Sequence, residues 1–198
     1  MSGGHNRKFM ANPAGYASDK TLLVPDHAAL GFWSAVQNGP FDLSEVQGSG
    51  FSGTVLVLNH ITRRGKETSS VTRPIPGIWI PYEADEVVEK PVTANAAPYF
   101  VFTSMLGGCA LGIRDLNKAQ TTFTHDAIGR QAKNLAGSAV TLMPSAYDPS
   151  GSGLNVTAFF WWDGTRWQLG RSATYDAHGL CQTFGDVADK YPKKMGAA

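Results

Sequence analysis

The sequence predicts an α+β fold: a largely antiparallel β-sandwich or mixed sheet, flanked by a few helices and long loops. Three observations carry this expectation. Short runs rich in β-branched and aromatic residues recur between residues 53 and 175, and they outnumber the helical patterns. They follow one another without the strand–helix alternation that builds parallel sheets. Between the last two runs, Asp163-Gly164 is a hairpin signal, because Gly accepts positive φ without strain.

Taken in order, residues 1–20 are rich in Gly, Asn, Ser and charge, and are expected to form a flexible N-terminal arm. That leaves 21–198 as a single domain, within the ~100–200 residues typical of one core. Ala29, Phe32, Trp33 and Val36 recur at helical spacing, so a helix is expected from Asp26, its cap, to Asn38, where Asn-Gly-Pro stops it. The glycines of 39–53 read as loop. Strands are expected at Gly53–Ile61, Ile78–Tyr82, Tyr99–Leu106, Cys109–Ile113, Gln120–His125, Ala139–Met143, Asn155–Trp162 and Arg166–Tyr175. Short helices fit Ala127–Ala136 and Asp186–Tyr191.

Composition excludes several function classes. The 198 residues carry 17 basic and 16 acidic side chains, a formal charge of +1, so there is no global basic footprint for nucleic acid or an acidic membrane. No apolar run approaches the ~18 residues of a membrane helix. The first residues, MSGGHNRKFMANPAG, lack the apolar core of a Sec-type signal peptide. His27 and His178 lack metal-ligand spacing, so neither a metal site nor a cofactor is expected. The chain is expected to be a monomer. Its two cysteines cannot make a disulfide framework, and so their chemistry has to be asked of each separately.

Cys109 follows Gly107 and Gly108. Glycines let the backbone turn sharply and leave N–H groups to face a developing oxyanion. If 109–114 and 120–125 form a hairpin joined by 115–119, Arg114 pairs with Gln120 and Cys109 with His125. Directly opposed side chains share a face, with Cβ atoms ~4.5–5.5 Å apart. An imidazole beside a thiol favours the nucleophilic thiolate and can protonate a leaving group. The bland alternative is a small buried cysteine.

The stretch Tyr99-Phe100-Val101-Phe102-Thr103-Ser104-Met105-Leu106-Gly107-Gly108-Cys109, followed by His125, resembles the glutamine deamidases of the cytotoxic necrotizing factor and Burkholderia lethal factor type. Those toxins carry a Leu-Ser-Gly-Cys turn after an aromatic-rich strand, with the His a short hairpin later. The lethal factor and the bacterial chemoreceptor deamidases also have a Thr six residues before the Cys, where this chain has Thr103. Gly53-Thr54-Val55-Leu56-Val57-Leu58-Asn59-His60 is similar to a Gly-Thr-x-x-Val-x-x-His strand of the lethal factor, and Ile78-Trp79-Ile80-Pro81-Tyr82 to its apolar-Leu-Pro-Trp segment. The resemblance covers Gly53 to Asp126. This chain departs from it with Gly107 in place of the toxins' Ser and a longer Cys–His loop than the lethal factor's.

The resemblance implies a toxin or effector that converts Gln to Glu on a host protein through a thioester. Cys109 would be the nucleophile, His125 the acid and base, and backbone N–H groups near Gly108-Cys109 the oxyanion donors. Thr103 is expected to orient the imidazole. Asp126 is the alternative orienter, but it follows His125 directly and on a strand faces the other way. The family's substrates imply a Rho-type GTPase or a translation-initiation RNA helicase as the partner, in the host cytosol, reached without a Sec-type signal. If an amine replaces water, the same thioester gives transglutamination.

Two rivals stand beside this. One is a catalytically silent binding module using the aromatic run Phe159-Phe160-Trp161-Trp162 with Trp167, one face of which is expected to be core and the other open to a partner. The other is a Cys–His amidohydrolase acting on a small amide. Cys181 is read as a bystander, His60 as a structural histidine and Arg63-Arg64-Gly65-Lys66 as a solvated turn.

Overall fold

The computed structural model describes residues 3–24, 35–46, 54–61, 73–81, 83–128 and 135–174. Among the described residues, two short helices, α1 (Gly3–Ala11) and α2 (Pro13–Ala17), precede twelve strands. These are β1 (Thr21–Leu23), β2 (Gln37–Asn38), β3 (Phe41–Val46), β4 (Val55–His60), β5 (Gly77–Ile80) and β6 (Val87–Thr93). The rest are β7 (Tyr99–Thr103), β8 (Ala110–Ile113), β9 (Gln120–Asp126), β10 (Val140–Leu142), β11 (Ala158–Trp162) and β12 (Trp167–Arg171).

The strands form three sheets, ordered β1-β4-β3, β10-β8-β9-β6 and β12-β11-β7-β5-β2. Pairing is antiparallel apart from β1 with β4 and β5 with β7. This is the mixed, β-rich α+β architecture the sequence predicts.

The five-stranded sheet is buried on both faces at its centre, which is why β7 and β11 are continuous apolar runs rather than alternating ones. Tyr99, Val101, Phe160 and Trp162 pack with Leu111, Ile113 and Phe123 of the four-stranded sheet. On the opposite face Phe100, Phe102, Phe159 and Trp161 pack with Leu43, Leu56 and Leu58 of the three-stranded sheet and with Phe9 of α1. Each fully buried aromatic side chain contributes about 1.5–3 kcal/mol through removal from water.

Several expectations are corrected. The segment expected as a flexible arm is helical from Gly3 and is packed through Asn6 and Phe9. Phe9 is buried among Phe100, Phe102 and Phe159. The buried Asn6 donates to Asp42 Oδ1 (2.7 Å) and accepts the Leu43 N–H (2.8 Å). Asn12 caps α2 by accepting the Gly15 N–H, with Pro13 opening the helix. A few well-placed side chains thus outweigh the polar composition.

Of the helix expected over Asp26–Asn38, residues 26–34 lie outside the described residues, and Gln37–Asn38 is β2, held extended against Trp79 and Ile78. The loop expected over 39–53 contains β3, whose buried Phe41 and Leu43 alternate with more exposed neighbours. Strand β6 carries Pro91, Glu89 and Lys90, which mask its signal. It sits at a sheet edge, where a missing N–H is tolerated. The aromatic run of β11 is buried on both faces, so the surface expected to meet a partner is interior. The expected helix at Ala127–Ala136 lies largely outside the described residues, and that at Asp186–Tyr191, with Cys181, wholly so.

Candidate active site

Strand β7 alternates its side chains between the two cores. Tyr99 and Val101 face the four-stranded sheet, and by the same parity so does Thr103. On β9, Phe123 points into that core, and His125, two residues on, shares its face. The two polar side chains meet between the sheets: Thr103 Oγ1 and His125 Nδ1 share a hydrogen bond of 2.8 Å, and both residues are 0 % exposed. Cys109, just before β8, packs against the same core and is partly buried.

The β8–β9 hairpin is real, but its register differs from the expected one by two residues. His125 lies opposite Leu111, not Cys109, and Arg114 donates to the Thr122 carbonyl rather than pairing with Gln120. The physical reason lies on the other edge of β9. Gln120 and Thr121 pair with Thr93 and Val92 of β6, and the Asp115 N–H is taken by Thr121 Oγ1 (2.8 Å), so the hairpin closes later. A slip of two preserves the face, whereas a slip of one reverses it. Cys109 therefore stands two positions before Leu111, diagonal to His125 in the hairpin. Asp126 pairs with Ala110 and accepts the Ile128 N–H (2.9 Å), so Thr103, not Asp126, is the group on Nδ1.

Burial pushes the Cys109 thiol above its ordinary range; a backbone hydrogen bond from Gly107 lowers it and the Asp126 carboxylate raises it. The resting sulfur is thus held toward the protonated thiol, and burial outweighs the expected stabilisation of the thiolate.

The glycine turn has separate roles for its two glycines. Gly108 adopts φ of 108°, a conformation that disfavours any side chain. Its N–H, expected from the sequence to face an oxyanion, donates to the Tyr147 hydroxyl (2.9 Å) and is already engaged. At Gly107 a Cβ would lie 2.5 Å from Asn155 Oδ1. The space a side chain at position 107 would take is filled by this neighbouring carboxamide.

Tyr147 and Asn155 have no sequence signal. Both reach the turn from a segment far along the chain, which is fastened to it by Leu106 and Val156 exchanging backbone hydrogen bonds of 2.8 and 3.0 Å. His60 ends β4 in the sheet on the other side of the central layer, with Nε2 bonded to the Asn38 carbonyl (2.8 Å) and its ring edge-on to Phe41. Among the described residues no His, Cys, Asp and Glu group is arranged to hold a metal ion, and no helix is long and apolar enough to cross a membrane.

No family model and no curated protein sequence matches this chain. The geometry therefore stands by itself: a partly buried thiol on a glycine turn, a buried imidazole on the same inner face, and a hydroxyl fixed on one ring nitrogen.

Proposed function

We propose that the protein is a cysteine-dependent protein glutamine deamidase. The observation that carries the proposal is the buried 2.8 Å hydrogen bond between Thr103 and His125 on the inner face to which Cys109 also belongs. Cysteine, histidine and threonine come from three strands or their edges, and a core of neighbouring apolar side chains would not require that polar pair.

In the proposed reaction His125 takes the Cys109 proton, and the sulfur attacks the Gln side-chain carbonyl carbon. The carbonyl oxygen becomes an oxyanion facing the Cys109 N–H. His125 returns the proton to the leaving nitrogen, so that ammonia departs and a thioester remains. Water then attacks, giving up a proton to the imidazole; the C–S bond breaks, the sulfur is reprotonated and Glu is released. With Nδ1 held by Thr103, proton exchange runs through Nε2. The role as a toxin or effector acting on a host GTPase or RNA helicase rests on the resemblance described above.

Ammonia release from protein-bound Gln, compared with free glutamine, tests the proposal. Release from protein that disappears in Cys109→Ser supports it; equal release from free glutamine favours a small-amide amidohydrolase, and no thiol-dependent release contradicts both.

A further inference from the structure

The Tyr147 hydroxyl makes two hydrogen bonds to the nucleophile turn. It accepts the Gly108 N–H at 2.9 Å and donates to the Cys109 carbonyl at 2.8 Å. The first group belongs to the peptide between residues 107 and 108, the second to the peptide between 109 and 110. One oxygen atom thus pins the planes on both sides of the Gly108–Cys109 peptide, whose N–H is that of the nucleophile. We propose that Tyr147 is a positioning residue that aims the Cys109 N–H at the oxyanion. The proposal rests on the reading of Cys109 as an acyl-accepting nucleophile.

Four further observations support it. Gly108, at φ of 108°, has the broad conformational freedom of glycine, so the orientation of the next peptide needs an external restraint. Tyr147 is 3 % exposed and lies in the core beside the turn, so its ring is fixed by packing. Its segment is clamped at the far end by the Leu106–Val156 bridge, and the loop between is closed by Asp148, whose carboxylate accepts Ser152 N–H and Oγ–H (both 2.9 Å) and the Gly153 N–H (2.8 Å). Burial holds the phenol pKa at about 12, so the hydroxyl keeps its proton, and its donation to Cys109, throughout the neutral range.

An oxyanion donor matters only to reactions that pass through a tetrahedral oxyanion. Acylation of Cys109 by p-nitrophenyl acetate does so; alkylation by iodoacetamide, a displacement at carbon, does not. Both rates are to be measured on the full chain by mass spectrometry of the Cys109 peptide, in wild type, Tyr147→Phe and Gly108→Ala. The second variant disturbs the same peptide through its backbone conformation, with open space around the added methyl group. The expected result in both variants is acylation slowed by about tenfold or more, with alkylation changed by less than about twofold. Unchanged acylation overturns the proposal and leaves the nucleophile reading standing. A parallel loss of both rates also overturns it, since Tyr147 then serves only the fold. If wild-type Cys109 acylates no faster than in the denatured chain, the nucleophile reading fails and takes this proposal with it.

Discussion

Phe102 and Thr103 are adjacent on β7, yet they face different interiors. Phe102 enters a core made of aromatic rings from the central sheet, α1 and the three-stranded sheet, where Phe9, Phe41, Phe100 and Phe159 lie with centroids 5.2–6.3 Å from it. Thr103 enters the other interior, equally closed to water, but there it meets an imidazole and lies on the side where a thiol packs. Burying Thr and His at full depth is unfavourable unless each finds a partner, and an apolar pair of the same shape fills such a space as well. The contrast teaches where to look for chemistry: the same sheet shows what a purely structural face looks like, and the other face departs from it at these residues.

The largest difference between the two faces should be in activity. Cys109→Ser or His125→Ala is expected to reduce Gln-to-Glu conversion by about a thousandfold or more, as removal of one member of a catalytic unit does, and Phe100→Ala is not expected to do so in its folded fraction. Ammonia release per folded molecule checks this. In stability the order reverses. Phe100→Ala should lower the unfolding free energy by about 3–5 kcal/mol in urea titrations, through lost transfer energy and a cavity. Thr103→Val keeps the volume but removes the hydroxyl on Nδ1; it should lose about 1–3 kcal/mol while kcat falls about a hundredfold and KM changes little.

The raised Cys109 pKa gives a smaller effect with a definite sign. Alkylation of the wild-type thiol should keep rising with pH beyond the ordinary thiol midpoint of about 8.5. The folded state binds this proton more tightly than the unfolded chain. The resulting stability is full below the unfolded midpoint and is lost as pH climbs through the raised folded value. A midpoint for alkylation below 8.5 contradicts the burial argument. Smallest of all, Gly107→Ser should cost about 1 kcal/mol by crowding Asn155, and Asn155→Ala in the same chain should recover most of it, a coupling readable in a double-mutant cycle.

How much of this was legible beforehand follows from the range of the interactions. Apolar, β-branched and aromatic runs announce β4, β5, β7, β8, β9 and β11, and Asp163-Gly164 announces the turn into β12, where Asp163 accepts the N–H groups of Thr165 and Arg166 and Gly164 has φ of 108°. The face shared by Cys109 and His125 follows from strand parity, but their register does not, because it is set by β6 on the far edge of β9. Strand β6 is itself obscured by Pro91 and two charged residues at an edge. The helices at 3–17 escape a composition argument because Phe9 and Asn6 anchor them through contacts that only the fold supplies. Tyr147 meets the glycine turn from 38 residues away, and no local pattern marks it.

One measurement bears most directly on the proposed chemistry of Cys109: mass spectrometry of a eukaryotic cell lysate incubated in heavy-oxygen water with wild-type protein or Cys109→Ser. The account predicts Gln-to-Glu conversion at defined sites with wild type alone, each new carboxylate carrying one oxygen from the water. The same conversions with both proteins, or none with either, would contradict it.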